Sequence, residues 1–195
     1  LIAIVSLVAL WTADPDQAST TPSGPGSPSA TAESQSETPS QSAAGTPTIV
    51  GVRDFDPEED NGNGEENADR TANVIDGDPE TTWVTMRYLR RPDMGGQKPG
   101  VGLILDLGEP RTVTSATVTL VGGETAVELR VPSGSEPSMR TEADWTIVGA
   151  NPTASGTATI ALETPTETQY LMVYLTSLPP VEGGFRGEIA EITLQ

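Results

Sequence analysis

From Thr48 onward, apolar and polar residues alternate in short runs. TIVGVRD (48–54), VGLILDL (101–107), RTVTSATVTL (111–120), TAVELRV (125–131), DWTIVGA (144–150), SGTATIAL (155–162), TQYLMVYLTS (168–177) and RGEIAEITLQ (186–195) all keep a period of two. That period predicts strands, each with one face for a core and one for solvent. The spacers LGEP, VGGE and VPSGSEP bring Gly and Pro between them and predict turns. No window of helical length keeps a 3.6-residue period. Eight strands in residues 48–195 without intervening helices predict an all-β fold, an eight-stranded antiparallel β-sandwich or jelly roll. The long interval 55–99 holds few strand signals, and an interval of that length in a small domain is either functional or held by local contacts.

Two different patterns precede the strands. LIAIVSLVALW (1–11) is apolar throughout. A span needs about 20 such residues, so this run is expected to be the end of a transmembrane helix, cut from a longer protein, with Trp11 at the interface. A signal-peptide core is the other reading, but no basic region precedes the run and no A-x-A site follows it. Residues 12–47 are Ser, Thr, Pro, Ala, Gly and Gln with little to bury, as in STTPSGPGSPSATAESQSETPS. They are expected to form a disordered, extended linker. With no Lys or Arg before Arg53, the positive-inside rule puts the linker and the domain after it on the extracytoplasmic side. Its hydroxyls are also candidate sites for O-linked sugars.

Composition narrows the chemistry. The chain has neither Cys nor His, which removes thiol nucleophiles, disulfides, Cys/His zinc sites and imidazole bases. Its formal charge is −18. The first 52 residues hold Asp14, Asp16, Glu33 and Glu37 and no cation, so residues 53–195 carry −14. Such a balance repels phosphate backbones and anionic headgroups, which argues against nucleic acid as a partner. No G-x-S-x-G elbow or P-loop is present. No carboxylate sits in an apolar run that would raise its pKa for glycoside hydrolysis.

One stretch stands out chemically. In NVIDGDPETTW (73–83) Gly77 tolerates positive φ and Pro79 fixes the chain after the turn. Asp76, Asp78, Thr81 and Thr82 offer the hard oxygens that Ca²⁺ takes six to eight of. The same residues also make an Asx-turn with solvated carboxylates, and the stretch alone leaves both open.

N-x-x-D-G-D-x-x-T-x-W after a first strand, a later strand ending in L-D-L-G, and E-I-A-E-I-T-L at the end together resemble the discoidin or coagulation factor 5/8 type C domains, also called galactose-binding-like domains. The resemblance covers residues 48–195 and implies an eight-stranded jelly roll. It further implies a structural Ca²⁺ held by Asp76 and Thr81 through side chains, by Val74 and Asp78 through carbonyls, and by Glu191 from the last strand, with Trp83 in the core. DFDPEEDNGNGEEN, IDGDPETTWVTMRY, GGQKPGVGLILDLG and YLMVYLTSLPPVEGGFRGEIAEITL are also similar to the C-terminal extracytoplasmic domain of actinobacterial MviN/MurJ-type membrane proteins, which are lipid II flippase-like and contain a pseudokinase region. That similarity implies a non-catalytic module of peptidoglycan biosynthesis at the cell membrane. Its partner would be a cell-wall glycan or a lipid-linked precursor. Similar modules end some Ser/Thr kinase-like membrane proteins, and there the domain would act as a protein-interaction or sensor module.

Three further stretches hold candidates. DFDPEEDNGNGEEN (54–67) fails as an EF-hand, because alignment on Gly64 puts Arg70 where the closing Glu belongs. It is expected to be a solvated acidic loop. MRYLRRPDMGGQKPG (86–100) groups Arg87, Arg90, Arg91 and Lys98 around Tyr88. Tyr88, Arg90 and Arg91 suit a sugar ring with its hydroxyls, or a phosphate or carboxylate. Alternatively, these cations pair with the acidic loop. Phe185 and Arg186 in GGFRGE are the other candidate ligand contacts, with packing the alternative for Phe185. Trp145 is ambiguous between the two sheet faces.

Overall fold

The computed structural model describes residues 45–195. The expected transmembrane end (1–11) and all but the last three residues of the expected linker (12–47) lie outside them. Residues 45–50 have no regular element. Among the described residues no helix is long and apolar enough to cross a membrane. The strands are β1 (Gly51–Phe55), β2 (Trp83–Val84), β3 (Val101–Leu120), β4 (Thr125–Pro132), β5 (Trp145–Ala154), β6 (Thr157–Ser177), β7 (Pro180–Val181), β8 (Gly184–Phe185) and β9 (Glu188–Leu194). Only short 3₁₀ turns stand between them, at Glu58–Asp60, Ala68–Ile75, Met94–Gly96 and Glu142–Asp144.

The all-β sandwich is as predicted, but its strands are divided differently. Segments 101–107 and 111–120 fuse into β3, and 155–162 and 168–177 fuse into β6. LGEP is therefore a bulge within a strand and not a reversal. Gly108 supplies a φ of 76° there, and the β3–β6 register shifts between Asp106 and Arg111 and again between Val113 and Ser115. Because the two strands remain antiparallel partners on both sides of the kink, neither needs to end. The predicted first strand, 48–54, starts later, at Gly51. β2, β7 and β8 have two residues each, too few to show a period.

The main sheet has the order β2-β9-β3-β6-β4-β5, with β1 also on β3. β1 pairs with residues 102–106 of β3, and β4 with residues 172–177 of β6. β9 pairs with residues 116–120 of β3, beyond the bulge. β3 and β6 therefore run through both halves of the fold. Leu103, Leu105, Val118, Leu129, Leu171, Val173, Leu175, Ile189 and Ile192 share one core with Trp83. Full burial of such a side chain contributes about 1.5–3 kcal/mol.

Residues 171–175 of β6 are all buried, since the outer face of this half is covered as well. Phe55, Ile104, Trp145, Met172 and Tyr174 form a second cluster there. Phe55 meets Trp145 and Tyr174 edge-on, with ring centroids 5.9 and 6.2 Å away. The interval after β1 and the loop after β4 clasp each other: Arg140 pairs with Glu59 at 2.6 Å, while Thr141 Oγ1 and the Glu142 N–H donate to Asp60 at 2.8 and 2.6 Å.

Candidate functional site

The Ala68–Ile75 turn ends at Asp76, and Gly77 follows with φ 79°. Asp76 Oδ1 accepts the Asp78 N–H at 2.9 Å, and Oδ2 accepts the Thr81 hydroxyl at 2.7 Å. Those two bonds, the backbone one first, hold the Asp76 carboxyl below its ordinary range. Thr81 Oγ1 also lies 3.0 Å from the Asp78 carbonyl oxygen. Across the fold, Glu191 of β9 accepts the Gly77 N–H at 2.7 Å. The structure thus brings together Asp76, Asp78, Thr81 and Glu191 from the five residues the resemblance implied. Val74 is fully buried under the loop.

This donor set is compatible with Ca²⁺. It offers two carboxylates, a hydroxyl and a carbonyl, with oxygens 2.7–3.0 Å apart around Thr81, and Ca²⁺ accepts mixed hard oxygens. It would need those neutral oxygens, because among the described residues no group of three or more Asp or Glu side chains is arranged to hold an ion.

The acidic segment is not the solvated loop that its composition suggests. Glu66 is 0% exposed and Asp56 4%. Lys98, from the loop after β2, reaches in to 2.5 Å from Asp56 Oδ1 and 3.5 Å from Glu66 Oε2. Glu66 accepts the Met86 N–H at 2.5 Å and the Tyr88 hydroxyl at 2.9 Å, and its own carbonyl accepts Trp83 Nε1 at 2.8 Å. Burial pushes the Glu66 carboxyl up, opposed by Lys98 and the two donors, and burial beside Glu66 also pushes the Tyr88 phenol up. Sequence reasoning passed over Asp56, Glu66 and Lys98 as site residues. The one available signal was a lone Lys following an acidic run.

The ligand candidates from two distant stretches meet at one edge. Tyr88 and Phe185 bridge antiparallel, exchanging N–H···O bonds of 2.9 and 2.8 Å. Trp83 pairs with Ile189 and Val84 with Glu188, and the Thr85 N–H donates to the Gly187 carbonyl. The register then slips by one residue before Tyr88, so Met86 and Arg87 together oppose Arg186. Tyr88 has its hydroxyl on Glu66 and the Lys98 ammonium 5.1 Å from its ring centre, which leaves at most one ring face for a sugar. Phe185 is half-buried against the main core. Arg91 pairs with Asp93, and Arg90 is exposed at φ 73°. Of the four cations in residues 86–100, only Lys98 pairs with the acidic segment.

No family model matches the chain. Solved structures share its fold. A CBM32 module of AlyQ in complex with 4,5-unsaturated mannuronic acid superposes with a TM-score of 0.54 at 16% identity, over 77% of this chain and 98% of that one. Chitosan-binding module 2 of a chitosanase/glucanase from Paenibacillus sp. IK-5, in complex with chitotriose, gives 0.51 at 17% identity, over 74% and 94%. In a Ruminococcus gnavus GH29 fucosidase the match spans 64% of this chain and 21% of that protein, at 16% identity and a TM-score of 0.47. On the first two, the chain has the β-sandwich fold of those carbohydrate-binding modules.

Proposed function

We propose that residues 48–195 are a non-catalytic glycan-binding module, carried outside the cell membrane by a cell-wall biosynthesis protein of MviN/MurJ type. Its ligand is a wall glycan or a lipid-linked precursor. One observation supports this most directly: the 86–91 and 183–186 stretches converge on a short, hydrogen-bonded ladder, and an exposed arginine, Arg87, and a half-buried one, Arg186, flank the Tyr88–Phe185 pair. A rigid edge with polar forks beside an aromatic surface suits a sugar ring and its substituents. The fold is one on which other proteins hold saccharides, although a shared fold alone does not assign function. The wall and membrane setting rests on the sequence similarity of the domain and on the apolar run that precedes it.

Asp56 and Glu66, the buried acids, point toward binding and not hydrolysis. Lys98 lies between them where a hydrolase needs a glycosidic bond. Ca²⁺, held by Asp76, Thr81, the Asp78 carbonyl and Glu191, would have a structural role, fastening the loop before β2 to β9.

The test is titration of the full chain with soluble peptidoglycan fragments and lipid II fragments. Saturable binding in the micromolar to millimolar range is expected. No detectable binding at millimolar ligand overturns the proposal.

A further inference from the structure

Resting on the glycan-binding reading, we infer that the ligand carries an oxyanion, a carboxylate or phosphate on the sugar, and that Arg87 and Arg186 are the residues that select it.

Cations are scarce in this chain, ten against 28 acids. Lys98, Arg91, Arg111, Arg130 and Arg140 all sit on carboxylates. Among the described residues Arg53, Arg70, Arg87 and Arg90 form no ion pair, and Arg186 reaches Glu188 only at 3.8 Å. Glu188 has its other oxygen on the Thr82 hydroxyl at 2.8 Å. With so many acids available, a cation with no partner or only a distant one is informative, and here the slipped register puts the unpaired Arg87 opposite Arg186 on the ladder. Like charges facing each other across a ladder are destabilising. Bulges also recur where a side chain is aimed at a ligand.

Arg186 adds a second, independent sign. Its Nε is buried and has no hydrogen-bond partner. A buried donor left unmet costs about 1–3 kcal/mol, and the rest of the guanidinium, on a side chain 35% exposed, can give an oxyanion charge-assisted, two-pronged bonds. The ground beside Arg87 is kept open by Gly183 and Gly184. A Cβ on Gly184 would lie 3.2 Å from Arg87 Cγ and 2.4 Å from the Tyr88 carbonyl oxygen, and one on Gly183 would lie 3.5 Å from Arg87 Nη1. Leu89, 59% exposed, and half-buried Phe185 supply apolar surface next to the pair. The net charge of the domain opposes approach of an anion from far away. At physiological ionic strength that repulsion is screened beyond about 8 Å, and contact chemistry decides.

Calorimetric titration of the full chain with trigalacturonate, its methyl ester and N-acetylglucosamine 1-phosphate tests this. One of the two anionic sugars should bind about tenfold more tightly than the ester. The tighter of the two shows whether the oxyanion is carboxylate or phosphate. R87Q and R186Q should each remove most of that preference, and R53Q, an exposed arginine on β1, should behave as wild type. Equal affinity for ester and anions overturns the inference but leaves the glycan-binding module standing. An R87Q/R186Q double variant that melts normally and keeps its preference for the anion does the same. If no saccharide binds, both fall.

Discussion

Lys98→Met isolates the most consequential buried interaction. The substitution keeps most of the side-chain stem and removes the charge that faces Asp56 at 2.5 Å and Glu66 at 3.5 Å. Both acids are essentially inaccessible to water, and the Lys98 side chain itself is 8% exposed, so solvent cannot replace the missing cation. Removing one partner of a buried pair costs about 3–5 kcal/mol, far more than an exposed pair is worth. For a domain of this size the melting temperature should fall by about 10 °C at neutral pH. The pH dependence makes the test sharper. Burial already raises the Glu66 carboxyl above its ordinary value of 4.5, so between that value and the raised one the native state holds more protons than the unfolded state. Stability therefore declines as pH rises through that window. Without Lys98 the carboxyl rises further and the window widens upward, so the loss should be small at pH 5 and large at pH 7.5. Glu66→Gln in the Lys98→Met background should recover part of the loss at pH 7.5 only. Urea titrations at the two pH values read all of this. A Lys98→Met loss under about 1 kcal/mol at pH 7.5, or one equal at both pH values, refutes the argument.

Three smaller predictions concern the loops. Thermal melts with Ca²⁺ and with a chelator should differ for the wild-type chain and coincide for Asp76→Ala; at a hundred times its dissociation constant the ion would add about 2.7 kcal/mol. An unmoved wild-type midpoint removes the ion. Apart from Ca²⁺, the depressed Asp76 pKa gives stability that is present above the ordinary carboxylate range and lost as pH falls through the folded value, so the wild-type advantage over Asp76→Ala should shrink below pH 4. Gly62→Ala would set a Cβ 2.4 Å from both the Asp56 carbonyl oxygen and Oδ1. It should cost about 1–3 kcal/mol in urea unfolding, and an unchanged midpoint means the acidic segment is looser than described.

Strand content was readable because β3, β4, β6 and β9 alternate buried and more exposed positions over parts of their length, and period two reports that directly. The fusion of 101–107 with 111–120 was not readable, since LGEP is equally good chemistry for a reversal or a bulge and the choice is made by β6 staying alongside. Trp83 could be placed in the core from the motif it ends. The second cluster around Phe55, Trp145 and Tyr174 could not, because the face it covers is closed by a contact between Glu59 and Arg140, 81 residues apart. The Asp76 loop was half visible. NVIDGDPETTW shows its local turns, whereas Glu191 enters only through the pairing of β9 with β3, which sets it opposite Thr119. Asp56 and Glu66 were misjudged for a similar reason. An acidic run is ordinarily solvated, and Lys98, arriving from beyond β2, together with the Asn63 and Met86 N–H groups and the Tyr88 hydroxyl, makes burial of these two tolerable.

Net charge, likewise, describes this chain less well than the use made of each acid. Asp54 accepts the Glu66 N–H at 2.5 Å, Asp56 the Asn63 N–H at 3.0 Å, Asp60 the Glu142 N–H at 2.6 Å and Asp106 the Gly108 N–H at 2.8 Å. Asp76, Asp78 and Glu191 do the same for Asp78, Glu80 and Gly77. Many of the carboxylates thus serve as acceptors for backbone N–H groups in loops, at the start of a 3₁₀ turn and at the β3 bulge, where no ladder partner meets them. Once those acids are committed to loop structure, the −14 of residues 53–195 says little about what the surface can bind. Recognition depends on the groups left over, and at the Tyr88–Phe185 edge those are guanidiniums. A domain acidic in sum can therefore present a basic edge, and under the proposed reading that edge, not the total, sets the class of ligand.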